Sequence, residues 1–545
     1  MNATLKSIQQ LIYSPDDTLR LAAIRVLGAI NSREPAVHKA LADLMIETDN
    51  PEIFDAALTA IEASPHEQIL KQLVRVLDKT DDHQDRVIDA IAQIGAKAVQ
   101  PLKQQFDKVP PETQRRMMRA LPRIRTHLAH TFLIDCLAHP DLQLMREAVR
   151  SLRDEIGKYN QAEKSDLFGQ INTAIKDKRV RQNEVALSAL VIAMGIIADI
   201  KAKPALLSFI NPGASSQVRR YALISLASLP LSAGKHTDIT STLYPLLDDP
   251  DYDGLVRHAV AVLSALPPGK EDQETLQSLL HNRHNGVRVF AMGKLSGLDS
   301  PQNAQLIMEF LSASDQDLKE AALAALARMP STVNIILKTI DEHPSTIRIQ
   351  DMVRILSNHK NRITPERARN RIKKMLEMWG KGDKRFELNW EALKQLKPEV
   401  LQSEILKLAE KAFAESDYAA AATHLGLLDK GGLLNSELRY KLMLASLKIS
   451  EKSRSRGSRA SDPALEHISR LLAENPREFK SRFITEKILT DDDYLYIGFH
   501  FSERLNEERR FGADMLRHVA TRWPRRQSAK MAKQKLLLEG HQNGS

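Results

Sequence analysis

The sequence predicts an all-α protein, a right-handed α-solenoid of stacked helical hairpins, from its composition, a recurring local pattern and the period of that pattern. Glycine supplies 22 of 545 residues, below the usual level of about 7%, and aromatic residues only 5%. With abundant Ala, Leu, Lys, Glu and Arg, that balance favours helix over sandwiches and barrels. The pattern is an apolar residue, then a basic one, with Ala three and Leu seven positions after the basic residue. It occurs at Leu19/Arg20/Ala23/Leu27, Val218/Arg219/Ala222/Leu226, Val287/Arg288/Ala291/Leu295 and Leu318/Lys319/Ala322/Leu326. Looser copies lie around Ile53–Ile61, Met117–Leu121, Ala148–Leu152 and Ala259–Leu263.

Positions three and seven apart share one helical face, so Ala and Leu make a buried stripe with the basic residue at its border. Ala23, Leu27, Ala222, Leu226, Ala291, Leu295, Ala322 and Leu326 are therefore expected where adjacent repeats meet, Ala permitting close approach. Helix-starting residues stand just upstream: Asp16 and Asp17, Ser215 and Ser216, Asn285, Asp315. Between successive frames lies another short amphipathic segment, such as Val37–Met45, Ile69–Leu77, Phe132–Leu137 or Ala304–Leu311. Each unit is thus two helices joined by a short turn. Second helices are expected to start near residues 17, 51, 84, 113, 141, 183, 215, 255, 286, 317 and 346, a spacing of about 33 residues. One hairpin cannot bury its apolar face alone, whereas eleven or so in a stack share a continuous core.

The runs DDTLRLAAIRVLGAI and HNGVRVFAMGKLSGL resemble the second-helix consensus of the HEAT-repeat family, and the resemblance extends over about residues 1–360. The period is shorter than the roughly 40–47 residues of most HEAT and armadillo arrays and nearer the compact HEAT-like repeats of bacterial proteins. Ankyrin shares that period, but its T-P-L-H-x-A motif does not occur.

After residue 360 the frame is lost and the charge changes. Residues 361–390 hold nine Lys or Arg against four acids, and residues 451–545 hold 19 against 14, while the whole chain carries +9. The first 360 residues are therefore close to neutral. The organisation expected is a HEAT-like array over 1–360, a helical region with a basic start over 361–451, a Ser/Arg-rich linker over 452–463 and further helices over 464–541. The run LKLAEKAFAESDYAAAATHLGLLDK resembles a tetratricopeptide hairpin, with Ala409 and Phe413 on one helix and Ala421 on the next. The closing run FGADMLRHVATRWPRRQSAKMAKQKLL has the same helix, Pro524, helix rhythm.

Candidate chemistry meets a plainer reading at each turn. Asp249, Asp251, Asp253 and Gly254 match the first half of an EF-hand loop, but the twelfth position is Val260 where a bidentate Glu is required, so helix capping is expected. His127, His130, Cys136 and His139 are zinc-ligand types at loose spacing, yet Cys136 lies in the apolar run FLIDCLAH and reads as a core residue. The His281/His284 pair sits in a polar turn. The single His-Glu dipeptide, His66-Glu67, excludes the repeated iron-binding pairs of HEAT-fold hydroxylases, and no phosphate-binding glycine loop or nucleophile elbow occurs. Tyr494, Tyr496, Phe499 and Phe501 are expected as the core of a hairpin. No catalytic residue, cofactor or metal is expected. One cysteine admits no internal disulfide, no leader-like apolar run opens the chain, and the longest apolar stretch, Val185–Ile197, is too short to span a bilayer, so a cytoplasmic protein is expected.

A solenoid's curvature suits it to binding proteins or extended peptides along its concave side. The function expected is a non-catalytic scaffold or adaptor for a protein partner, assisted by electrostatic contacts from Arg369, Arg371, Lys373, Lys374, Arg454, Arg456, Arg459, Arg522, Arg525 and Arg526. The alternatives are a nucleic-acid binder using those basic patches and, by fold analogy alone, a HEAT-type lyase or chaperone.

Overall fold

The computed structural model describes residues 3–30, 34–79, 82–231, 236–379, 382–454 and 462–542, and these are helical with no strand among them. The chain divides into two compact units, Met1–Leu298 and Asp299–Ser545.

The first unit is a run of helical hairpins. In order, the paired helices are Ala3–Leu11 with Asp17–Ala29, Pro35–Glu47 with Pro51–Glu62, Leu70–Lys79 with Gln84–Ile94, and Ala96–Phe106 with Pro111–Met118. There follow His127–Leu137 with Leu142–Glu155, Gln161–Ala174 with Glu184–Ile197, and Lys203–Ile210 with Ser216–Ala227. Thr237–Leu243 with Arg257–Ala265 and Gln273–Leu279 with Asn285–Gly297 complete the unit. The second helices lie side by side along the run, so each hairpin touches its sequence neighbours.

Local chemistry explains the starts. Asp16, Asn50, Asp141, Asn183 and Ser215 each accept backbone N–H groups from the first turn of the second helix that follows. Asn285 differs: it is the first helical residue, and its side chain accepts from Arg288. The eighth second helix enters through a π-turn, Tyr252–Val256, closed by Asp251 accepting from Gly254 N.

The Ala and Leu positions of the frame are enclosed. Ala23 and Leu27 are 3% and 2% exposed, and Ala222, Leu226, Ala291 and Leu295 are fully buried. Neighbouring second helices meet at small residues: a Cβ on Gly195 would lie 2.6 Å from Ser225 Cβ, while Ser225 Oγ donates to Val191 O at 2.9 Å. Replacing Ala222 with Leu is expected to overpack its site and cost about 1–3 kcal/mol, read as a lower midpoint in urea unfolding. Wild-type stability would show that this face has room.

In two copies of the frame the basic residue closes the preceding helix, whereas Lys319 pairs with Asp351 at 3.1 Å and Arg288 donates to Asn285. Arg20 Nε donates to Ile12 O at 3.2 Å and Arg219 Nε to Ile210 O at 2.8 Å, closing carbonyls at the end of the preceding first helix. Gln114 does the same to Phe106 O at 2.7 Å, and Arg181 to Ile175 O at 3.2 Å. The last carbonyls of a helix have no internal partner, and a cation there also meets the negative end of the helix dipole. Arg219→Met is expected to cost about 1–2 kcal/mol, whereas Arg220→Met, one position outside the frame, should leave the unfolding midpoint unchanged.

The second unit continues the alternation. Its pairs are Pro301–Met308 with Gln316–Leu326, Thr332–Glu342 with Ile349–Leu356, Pro365–Met378 with Lys384–Leu396, and Pro398–Ala414 with Tyr418–Lys430. Ser436–Arg454 with Pro463–Glu474, Pro476–Ile484 with Asp491–Ser502, and Asn506–Arg522 with Gln527–Gln542 follow. Asp315 caps the first second helix here, and Ala322 and Leu326 are fully buried. Towards its end an aromatic core gathers Tyr440, Phe479, Phe483, Tyr494, Phe501 and Phe511, with Tyr496 and Phe499 packed at its edge. The Tyr494 hydroxyl, buried with its ring, donates to Phe483 O at 2.7 Å. The aromatics of the run 494–501 are thus core.

Candidate functional site

The second-helix side of the first unit carries ion pairs both within helices, such as Arg20–Asp17 and Arg115–Glu112, and between hairpins. Arg86 reaches back to Asp55 and Glu62, which raise its already high pKa, chiefly through the Glu62 hydrogen bond. Arg119 and Arg123 reach back to Asp85 at 2.8 and 2.9 Å, and Arg123 also meets Asp89 at 2.6 Å and Glu155 at 3.3 Å. Exposed pairs of this kind contribute about 0–1 kcal/mol each. Their effect is on register and surface potential, since charges on adjacent second helices are spent on one another.

Between the first two second helices this surface opens into a groove of about 500 Å³. Its floor is small, formed by Gly28, Ala29, Ala56, Ala60 and Ala63, and its rim carries Arg25, Glu52 and Asp55. A Cβ on Gly28 would stand 3.0 Å from Ala60 Cβ, so the two backbones approach closely below the groove. The second unit has a more apolar groove of about 390 Å³, walled by Phe386, Trp390, Leu427 and Ile349 and edged by Glu387, Glu391 and Lys430. The Phe386 and Trp390 rings are 8° from parallel with centroids 6.5 Å apart. Neither groove was legible in the sequence, because each depends on small or aromatic residues brought together from successive hairpins.

The basic residues singled out by sequence fall into three groups. Arg371 is enclosed: its guanidinium donates to Asp341 at 2.8 Å and Leu337 O at 2.7 Å, it also holds Asn389, and burial lowers its pKa despite Asp341. Lys374 sits 3.3 Å from the same Asp341 and 5.2 Å from the Trp379 ring centroid, and Arg526 pairs with Asp491. Arg369 and Lys373 are exposed, at 3.4 Å from Glu404 and 3.9 Å from Glu377. Arg522 lies over the Trp523 ring at 4.9 Å, and Arg525 is exposed. Arg456, Arg459 and the side chain of Arg454 lie outside the described residues, as does most of the 452–463 segment.

The metal-like clusters resolve into structural contacts. Asp249 accepts from Asp251 N, Asp251 from Gly254 N, and Asp253 faces Arg257 at 3.9 Å. His127 and His130 both turn Nδ1 to Asp166, at 2.7 and 2.6 Å. Cys136 is buried, its thiol pushed up to about 12 chiefly by burial, which keeps it protonated. His284 bonds Asp249 O at 2.7 Å.

His130, His258, His359, His467, His500 and His518 are all held below the ordinary histidine pKa, with burial the largest cause in each. As pH falls through about 6.5 the unfolded chain takes up these protons before the folded one. Stability is therefore expected to fall between about pH 7.5 and 5.5, visible as a declining thermal midpoint. A flat or rising midpoint would contradict the burial of these rings.

Residues 4–93, the first three hairpins, match the family model of HEAT repeats. No curated protein matches the chain. Among solved structures, an engineered protein aligns with 73% of this chain and 99% of its own, at 17% identity and a TM-score of 0.31. The karyopherin Kap121p bound to Nup53p aligns with 99% of this chain and 70% of its own, at 12% identity and a TM-score of 0.42. Importin beta aligns over 95% and 77%, at 13% identity and a TM-score of 0.34.

Proposed function

We propose that this HEAT-repeat solenoid is a non-catalytic scaffold of the cytoplasm that binds a protein partner along the second-helix side of its array. The observation that carries the reading is the small-floored groove between Asp17–Ala29 and Pro51–Glu62, where Gly28, Ala56 and Ala60 leave room for an extended segment beside Arg25, Glu52 and Asp55. The ion pairs between hairpins support it in a second way. They neutralise the side in place, so that recognition there rests on shape and hydrogen bonding over several repeats. Of the ten basic residues expected to assist the encounter, the exposed Arg369, Lys373, Arg522 and Arg525 would do so through an attraction that fades once salt shortens the Debye length below about 10 Å.

The test is a pull-down from native lysate with the full-length chain, with and without nuclease, repeated with Ala56→Trp. Capture of the same protein in both lysates, lost with Ala56→Trp while unfolding is unchanged, is the expected result. Capture that vanishes with nuclease would replace this reading with nucleic-acid binding, and capture indifferent to Ala56→Trp would move the site elsewhere.

A further inference from the structure

The hairpin of Asn506–Arg522 and Gln527–Gln542 carries large apolar residues that stand exposed. Helix Gln527–Gln542 rests on Asp491–Ser502 and Asn506–Arg522, and its Ser528, Ala529 and Ala532 are buried. On its outward side Met531, Leu537 and Leu538 are 42%, 66% and 67% exposed. At 3.6 residues per turn, Lys530, Met531, Gln534, Leu537 and Leu538 fall within an arc of about 120°, with Lys533 just beside it. Lys530 and Lys533 are exposed, as is Arg525 in the preceding turn. The nearby carboxylates are occupied: Glu539 and Glu503 hold Lys535 at 3.6 and 2.7 Å, and Asp491 holds Arg526 and the Ser528 hydroxyl. Among the described residues no ion pair engages Arg525, Lys530 or Lys533.

We propose that this face docks onto an anionic lipid bilayer, Met531, Leu537 and Leu538 entering the headgroup layer while Arg525, Lys530 and Lys533 meet lipid phosphates. The two halves of the face select the occupant together. A nucleic-acid backbone would satisfy the cations and leave three large apolar side chains against charge. A protein partner would need pockets shaped for two leucines that stand two-thirds clear of the surface. A fluid headgroup layer moulds around them, and lysines beside leucines lay their stems along the apolar side chains while their ammonium groups reach the lipid phosphates. An anionic leaflet strengthens binding by roughly fivefold for each Lys or Arg near its surface. The contact is peripheral, since no helix among the described residues is long and apolar enough to cross a membrane. It is independent of the groove in the first unit.

The experiment is flotation of the full-length chain with vesicles of phosphatidylcholine alone and with vesicles in which a third of the lipid is phosphatidylglycerol. Binding is expected only to the anionic vesicles and should weaken as salt rises. Lys530→Glu with Lys533→Glu should reduce it by at least about 25-fold. Leu537→Ser with Leu538→Ser should reduce it at unchanged charge. Both variants alter exposed residues, so their thermal midpoints should match the wild type. Equal binding to both vesicles, no binding to anionic vesicles at low salt, or full binding by the serine variant would each overturn the proposal. So would capture of an acidic protein that needs Lys530 and Lys533 in the absence of any vesicle binding.

Discussion

Asp493→Ala is expected to lower the unfolding free energy of the C-terminal unit by about 3–5 kcal/mol, the largest effect of any single substitution proposed for this chain. Asp493 is fully buried and sits 2.7 Å from Lys448 Nζ, whose side chain is 8% exposed. It also accepts from the Thr490 backbone N–H and hydroxyl, both at 3.0 Å, closing the first turn of Asp491–Ser502. Removing the carboxylate leaves the mostly buried Lys448 ammonium to the half-exposed Glu451, 3.3 Å away, and opens the capping box. Burial, the largest single influence, lowers the Lys448 pKa, but the hydrogen bond and charge of Asp493 together with those of Glu451 outweigh it and leave the ammonium above its ordinary value. A group raised on folding stabilises fully below its unfolded pKa and loses that contribution as pH climbs through the folded one. The deficit of Asp493→Ala should therefore stay constant across neutral pH and shrink above about pH 10.4. Adding Lys448→Met should recover part of it, because removing both charges avoids the uncompensated one. A single variant as stable as wild type in urea unfolding would refute the pairing.

Gly512→Leu comes next, with an expected cost of about 3 kcal/mol or more. A Cβ at position 512 would stand 2.3 Å from Ser502 N and 2.5 Å from Phe501 C, so helix Asn506–Arg522 passes directly over the backbone of Asp491–Ser502. Backbone cannot rotate aside as a side chain can. Phe501 and Phe511, whose centroids are 5.7 Å apart, must separate if the helices do. In an isolated helix the same change would stabilise by about 1 kcal/mol through propensity, so the sign of the measured effect distinguishes contact from intrinsic preference.

The repeat was legible because its determinants are local. Second helices expected near residues 17, 51, 84, 215 and 286 begin at Asp17, Pro51, Gln84, Ser216 and Asn285, since the apolar stripe that marks each is local, with a capping side chain just before it at Asp16, Asn50 and Ser215. The frame fades after residue 360 while the alternation of helices continues to Gln542. There the contacts pass from Ala and Leu to large aromatics such as Trp390 and Phe483, which pack at no fixed spacing. The destinations of charged side chains were the least legible. Arg371 stands in a run of exposed-looking cations, but its partners are Asp341 and Asn389, 30 and 18 residues away. Charge counted along the chain cannot register such a pairing. The exposure of Met531 and Leu537 was hidden for a similar reason: it depends on how Gln527–Gln542 is turned against Asp491–Ser502 and Asn506–Arg522, which no local spacing records.

The carbonyl closures Arg20–Ile12, Gln114–Phe106 and Arg219–Ile210 join positions eight or nine residues apart within one hairpin. Each can form as soon as its own turn has left the ribosome, without waiting for any later segment. Synthesis at about 5–20 residues per second delivers a 33-residue hairpin every few seconds, whereas helices and short loops close in microseconds or less. The chain can thus finish each hairpin's polar contacts during translation and hold its Ala–Leu stripe ready for the next. Little apolar surface then has to wait for the C-terminus, which for a chain of 545 residues removes the longest window for aggregation.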